Sequence, residues 1–132
     1  MGMTHVDVTV MNPQDLTRSW VGRFLGDTGA FHTLVPRRHL EAIGIKPDRQ
    51  RTFEMADGTP VTLDIAIARL DFLGEYGADV VVFGEGDVEP LLGVTALESA
   101  GMVVDPRTQQ LRRLPILPLK VNVLPELVGA AA

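Results

Sequence analysis

The chain contains no cysteine among its 132 residues, which excludes a disulfide framework and any metal site built on thiolate ligands. Aromatic residues make up only 5% of the chain, and the 45% apolar content comes mostly from valine, leucine, isoleucine and alanine. Since β-branched residues favour strands, this composition predicts a β-rich domain. No apolar run approaches the roughly 20 residues that a membrane-spanning helix needs, so we expect no membrane partner.

Positive charge is also sparse, with 12 Lys and Arg against 17 Asp and Glu and a formal net charge of -5. The arginines are scattered in small groups without interleaved aromatic residues, so nucleic acid is not an expected partner. The first twelve residues alternate between apolar and polar side chains and include Asp7, a pattern that is not typical of a signal peptide. We therefore expect a cytoplasmic protein.

Two strands and a short helix are predicted in the first third of the chain. Thr4 to Val10 alternates apolar and polar residues, as a half-buried strand does, and Arg18 to Leu25 supplies a second strand. Pro36 to Ala42 predicts a helix, with proline at its first position and Gly44 just beyond its end.

A hairpin is predicted in the middle of the chain. Two extended runs, Arg51 to Ala56 and Thr59 to Leu73, meet at Asp57-Gly58, a dipeptide typical of two-residue turns in which both residues have positive φ. Tyr76 to Phe83 is a further strand, rich in valine.

The last third begins with Leu91-Leu92-Gly93, which we expect to open a second helix over Val94 to Ala100. Met102 to Val104 and Gln110 to Leu114 then predict a closing hairpin. We place the domain at residues 1–115. Residues 116–132 form a C-terminal tail, predicted to be a dimer-interface strand followed by a disordered end.

One turn stands out chemically. Asp27-Thr28-Gly29-Ala30 lies between the apolar approach Trp20 to Leu25 and a second apolar run that reaches Pro36. A short acid held in a glycine-containing turn can present its carboxylate at a rigid site, although an isolated D-T-G is most often only a β-turn.

From about Val6 to Leu114, the order of features resembles that of the retropepsin-like aspartic proteases, the single-domain relatives of retroviral proteases. The resemblance is carried by Asp27-Thr28-Gly29-Ala30 with Thr33 and Val35-Pro36, by the Asp57-Gly58 hairpin, and by Leu91-Leu92-Gly93 before a helix. It implies an all-β fold, closed and barrel-like, with one or two short helices, assembled as a C2 homodimer.

The resemblance also implies a reaction, the hydrolysis of peptide bonds by a water activated between two Asp27 carboxylates at the dimer axis. Carboxylates about 3 Å apart repel by about 5 kcal/mol at an effective dielectric of about 20, so the pair shares one proton near neutral or mildly acidic pH. The ionised acid then takes a proton from water while its partner polarises the substrate carbonyl. Neither a cofactor nor a metal is implied, and the partners are a second copy and a polypeptide substrate.

Further site residues follow from the resemblance alone. Thr28 would reach across the dimer axis, and Gly29 and Ala30 would support the loop that carries the acids. Asp57 and Gly58 would tip a mobile flap over the substrate. The turn Leu91, Leu92 and Gly93 would shape the pocket around Asp27.

Two alternatives remain open. Gly26 stands directly before Asp27, where the family usually has an apolar residue, and this favours a catalytically silent dimerisation or peptide-binding module. The other is an unrelated small β-protein in which D-T-G is only a turn. If a dimer forms, we expect its interface at the terminal segments Thr4 to Val10 and Val121 to Leu127, whose apolar residues need cover.

Other chemistry-bearing residues are predicted to lie at the surface. His32 and His39 are seven apart but lack accompanying ligands, so they are interpreted as surface histidines. The acids of the 79–89 region are interpreted as a solvated edge: Asp79, Glu85, Asp87 and Glu89.

Overall fold

A computed structural model of the chain describes residues 3–27 and 29–115, which form nine strands and two short helices. This confirms the predicted all-β class. The elements are β1 (Met3–Asn12), β2 (Asp15–Asp27), β3 (Thr33–Pro36), α1 (Arg37–Ala42), β4 (Arg49–Glu54), β5 (Pro60–Phe72), β6 (Glu75–Gly84), β7 (Leu91–Leu92), α2 (Val94–Ser99), β8 (Met102–Val104) and β9 (Leu111–Arg113).

The main sheet has seven strands in the order β1-β2-β7-β3-β6-β5-β4, and β1 also pairs with β5. The extra pairing closes the sheet into a ring of every strand except β4, which lies outside the ring on β5. The hairpins β1–β2, β4–β5 and β5–β6 are antiparallel, whereas β2–β7 and β3–β6 are parallel. The predicted closure is therefore confirmed as a ring-like sheet, with β8 and β9 forming a separate hairpin.

The alternating valines of β1 lie in the core. Val6, Val8 and Val10 are at most 6% exposed, and they belong to one buried cluster with Phe24 and Phe83. Removing such side chains from water stabilises the fold by about 1.5–3 kcal/mol each. The expectation that this strand needs cover from a second copy is thus wrong in its premise, because the protomer already covers these valines.

Some element boundaries differ from the predictions because pairing with another strand lengthens an element or makes a segment a strand. Strand β2 begins at Asp15, because it pairs with β1 along almost its whole length. Pro36 is the N-cap residue of α1 and precedes its first helical position, while Gly44 has a φ of 81° just past its end. The predicted second helix is confirmed as α2, with Gly93 as its N-cap, but the two leucines before it form strand β7 between β2 and β3.

The C-terminal tail, residues 116–132, and the proposed interface segment within it lie outside the described residues. The domain boundary at residue 115 stays a prediction.

Candidate functional site

Asp27 is the last residue of β2, in a strand end held from both sides. The preceding residue, Gly26, pairs with Thr4 of β1 and with Leu92 of β7, and it is buried. Asp27 itself is half-buried. The strand end is therefore fixed by its two neighbouring strands, although Gly26 contributes no side chain to packing.

The loop after Asp27 orients the carboxylate. Asp27 Oδ1 accepts a hydrogen bond from the Gly29 backbone N–H at 2.8 Å, and the Ala30 N–H donates to the Asp27 carbonyl at 3.0 Å. A Cβ on Gly29 would lie 3.2 Å from Oδ1, so glycine leaves room for the acid. Thr28 lies outside the described residues, and its role across a dimer axis stays a prediction.

The turn at Gly93 is locked against this loop. The backbone N–H groups of Val94 and Thr95 donate to the carbonyls of Ala30 and Phe31 at 2.9 and 3.1 Å. These are first-turn amides of α2, which have no partner inside the helix. A Cβ on Gly93 would lie 2.6 Å from the His32 carbonyl oxygen, so only glycine allows this approach.

A buried carboxylate lies behind the loop. Asp79 of β6 is 7% exposed and accepts hydrogen bonds from the Thr33 N–H at 3.2 Å, the Thr33 hydroxyl at 2.9 Å and the Thr95 hydroxyl at 2.6 Å. The Thr33 hydroxyl oxygen also accepts from the Gly93 N–H at 3.1 Å. These bonds compensate the burial of the acid and tie the loop, β6 and α2 together.

His32 joins this cluster from the loop. Its side chain is 8% exposed, with Nδ1 3.1 Å from Asp79 Oδ1 and Nε2 3.0 Å from Arg51 Nη1 of β4. Because the carboxylate only accepts and the guanidinium only donates, these partners assign the ring proton to Nδ1 and leave Nε2 as the acceptor.

The prediction of surface positions is wrong for His32 and Asp79, whereas Glu85, Asp87 and Glu89 are exposed as predicted. A signal was available in the sequence for Asp79. Asp79 lies on the same side of β6 as Val81 and Phe83, which are fully buried, so strand alternation places it inward. His39 is half-buried and stacks on Trp20, with ring centroids 3.9 Å apart.

The β4–β5 hairpin forms as predicted, but its turn is wider. Gly58 has a φ of 88° and Asp57 does not have positive φ, so the predicted two-residue turn is wrong. The Met55 N–H donates to the Thr59 carbonyl at 2.8 Å, and the Gly58 N–H donates to the Met55 carbonyl at 2.9 Å. Asp57 Oδ1 accepts from the Thr59 N–H at 2.9 Å, and this bond holds the pKa of Asp57 below its usual value.

Within the described part of the chain, no hydrogen bond, ion pair or ring contact joins the hairpin tip to Asp27. The hairpin instead approaches the loop through Arg51 and through Phe53, whose ring centroid is 6.4 Å from that of His32. The structure thus joins the hairpin stem to the loop, while the flap role of the tip stays a prediction.

Three leucines line up beside the acid. Leu91 pairs in register with Leu25 of β2 and with Leu34 of β3, and all three are half-buried. Partners in register share a face of the sheet, so these side chains form an apolar floor next to the end of β2. Leu92 is fully buried in the core and supports this floor from behind.

Residues 3–27 and 29–115 contain no group of three side chains that could hold a metal ion. None of the helices they form is long and apolar enough to cross a membrane.

Comparison with known proteins shows which family the sequence matches. The family model described as aspartyl protease matches residues 6–96, a range that includes the Asp27 loop, the hairpin and Gly93. Among solved structures, the solution structure of Simian Foamy Virus (mac) protease is 16% identical, with a TM-score of 0.49. That match covers 72% of this chain and 92% of the viral chain. Among curated proteins, none is significantly similar to this chain.

Proposed function

The chain belongs to the aspartyl protease family, as its sequence resemblance predicts, and we propose that it is an aspartic endopeptidase with Asp27 as its catalytic acid. The observation that carries the proposal is the setting of Asp27. Its carboxylate is oriented by the Gly29 N–H at 2.8 Å, at the end of a strand that is paired on both sides.

A second acid is needed, and we propose that it is Asp27 of a second copy. The sequence contains the Asp-Thr-Gly turn once, so one protomer supplies half of an acid pair. A C2 dimer places the same residue of both copies beside its axis. At about 3 Å their repulsion, about 5 kcal/mol at an effective dielectric of about 20, makes the pair hold one shared proton.

The shared proton gives the pair two roles. The ionised carboxylate takes a proton from a water molecule as the water oxygen adds to the peptide carbonyl carbon. The protonated carboxyl donates to the carbonyl oxygen. Collapse of the resulting tetrahedral diol transfers a proton to the amide nitrogen and breaks the C–N bond.

The surrounding elements support this chemistry. The hydrogen bonds of Asp79 and of the turn at Gly93 connect the loop to β6 and α2, and rigid placement of reacting groups contributes much of an enzyme's rate. The apolar floor of Leu25, Leu34 and Leu91 would accept apolar substrate side chains. An extended peptide would lie between this floor and the β4–β5 hairpin, with Asp57 and Gly58 closing over it.

The variant Asp27→Asn tests the proposal. We expect it to remain dimeric in sedimentation velocity and to lose cleavage of a peptide library at mildly acidic pH. The matched control is Asp15→Asn, because Asp15 is an exposed acid that also orients its own turn, accepting from the Thr17 N–H at 3.1 Å. This control should cleave like the wild type. Undiminished cleavage by Asp27→Asn would remove the enzyme proposal.

The second candidate is a catalytically silent dimerisation or peptide-binding module. Gly26 favours it, because a glycine before the acid removes a packing group under the loop. The pairing of Gly26 with both Thr4 and Leu92 weighs against it, since the backbone is held without that group. Absence of cleavage by the wild-type protein, with retained peptide binding, would favour the silent module.

A further inference from the structure

Strand β4 presents two different faces. On one face, the side chain of Gln50 donates to Asp64 of β5 at 3.0 Å, and the hydroxyl of Thr52 is hydrogen-bonded to that of Thr62, also of β5, at 2.9 Å. Because side chains alternate along a strand, Arg51 and Phe53 point to the opposite face, and both contact His32 in the loop after Asp27. Arg51 is therefore on the side of the hairpin that faces the loop after Asp27.

The charge of Arg51 has no counter-ion among the described residues. Arg51 is an exposed residue, and the one hydrogen bond of its guanidinium within residues 3–27 and 29–115 is the donation from Nη1 to the imidazole Nε2 of His32. Arg37 provides the contrast, since its guanidinium pairs with Asp64 at 2.6 Å and with Glu85 at 2.7 Å. A guanidinium has five N–H donors, so Arg51 keeps four for a ligand.

The position of this cation is fixed from behind. Asp79 holds the imidazole of His32 through Nδ1, which directs Nε2 at Arg51. His32 is thus a positioning residue for the guanidinium. An arginine held in this way has lost part of its rotamer freedom before a ligand arrives, which favours binding.

We propose that Arg51 makes this protein select peptides with an acidic side chain near the scissile bond. The inference depends on the proposed function, because it names the substrate class of that same site. Carboxylates bind guanidinium groups through two parallel hydrogen bonds, a geometry that amides and alkyl groups cannot match. In a C2 dimer each protomer contributes one Arg51, so the preference should occur on both sides of the scissile bond.

Paired peptides test the proposal, each pair differing only by Glu against Gln at one position on either side of the cleaved bond. The assays are done above the ordinary carboxyl pKa of about 4, where glutamate is ionised. We expect kcat/KM to be about tenfold higher for the Glu member at one position on each side, the effect of one charge-assisted hydrogen-bonded pair. The preference should weaken as salt increases, since the site is exposed.

Variants of Arg51 test whether this side chain causes the difference in kcat/KM between the Glu and Gln peptides. In Arg51→Gln the Glu/Gln ratio should fall to about one, and in Arg51→Glu a Lys/Gln comparison should favour lysine. The matched control is Arg38→Gln, because Arg38 is also exposed but pairs with Asp87 away from the loop. This control should keep the wild-type ratio. Equal cleavage of Glu and Gln peptides by the wild type, or an unchanged ratio in Arg51→Gln, overturns the proposal.

A binding assay separates this inference from the proposed function. Fluorescence anisotropy with Asp27→Asn measures the affinity of the same labelled peptides without any cleavage. A Glu preference that Arg51→Gln abolishes in this background supports the inference even if the wild type cleaves nothing. Equal affinity for both peptides refutes it, whether or not the protein is a peptidase.

Discussion

Replacing Gly93 by alanine tests the lock between the Asp27 loop and α2. The added Cβ would lie 2.6 Å from the His32 carbonyl oxygen and 2.7 Å from that of Phe31. Both are backbone atoms, so no flexible side chain can move aside. The dihedrals of Gly93, φ -79° and ψ 164°, are ordinary for alanine, and the whole cost of the change is therefore steric.

The expected loss of stability in Gly93→Ala follows from the separation of the Asp27 loop from α2. Separating the two segments breaks the hydrogen bonds from Val94 to Ala30 and from Thr95 to Phe31, at about 1 kcal/mol each. Overpacking of a tight site adds about 1–3 kcal/mol. We expect a loss of about 3–5 kcal/mol in the free energy of unfolding, a large part of the roughly 5–15 kcal/mol that holds a typical domain together.

Gly58 supplies the matched control, because its backbone conformation favours glycine although no neighbouring atom is close. No atom lies within 4 Å of the Cβ position of Gly58, but its φ is 88°. Gly58→Ala should lower the free energy of unfolding by only about 1–2 kcal/mol, the cost of placing alanine in the left-handed region.

Urea unfolding at one fixed protein concentration, followed by the fluorescence of Trp20, measures both variants. With a slope of about 1.5 kcal/mol per molar urea, Gly93→Ala should lower the midpoint by about 2 M or more. A variant already unfolded without urea agrees with a loss at the upper end. A change below about 1 kcal/mol, or a smaller loss than in Gly58→Ala, would show that the two segments do not approach as described.

Three further predictions concern the buried acid, the dimer and acid stability. Asp79→Ala leaves the N–H and the hydroxyl of Thr33 without their acceptor, and we expect a loss of about 3 kcal/mol or more in urea unfolding, a loss below 1 kcal/mol being contrary to this reasoning. If the dimer carries part of the stability, the thermal midpoint should rise with protein concentration, and a constant midpoint over a hundredfold dilution would refute this. The hydrogen bond from Arg37 holds the pKa of Asp64 below 3.8, so its stabilisation is present above that value and is lost as pH falls through the folded pKa. Stability measured against pH in Arg37→Ala should therefore fall less steeply on the acid side, and an identical slope would contradict the pairing.

Local patterns predicted much of this fold. The alternation of Val6, Val8 and Val10 located a strand and its buried side, and Asp57-Gly58 located the hairpin. Both signals involve residues within a few positions of one another, where strand periodicity and turn chemistry act directly. The loop at Asp27 was found in the same way. The pairing of Gly26 with both neighbouring strands shows that β2 stays paired on both sides up to the residue before this loop.

What the sequence did not reveal depends on distant partners. Leu91 and Leu92 form a two-residue strand only because β2 and β3 lie on either side, and nothing in their local sequence indicates this. Asp79 is satisfied by Thr33, which is 46 residues away in the chain. The alternation of β6 could have indicated an inward carboxylate, but only the folded chain identifies its donors and the resulting role of His32.

The lock at Gly93 also sets when the acid loop takes its shape during synthesis. Its hydrogen bonds join residues 60 to 64 positions apart, so the segment that fixes the loop is made long after the loop itself. At about 5–20 residues per second, a ribosome adds those residues in roughly 3 to 13 s. Throughout that interval the nascent polypeptide carries the Asp27 loop with only its local hydrogen bonds, and the contacts that tie the loop to α2 form only after residues 93–95 have been made.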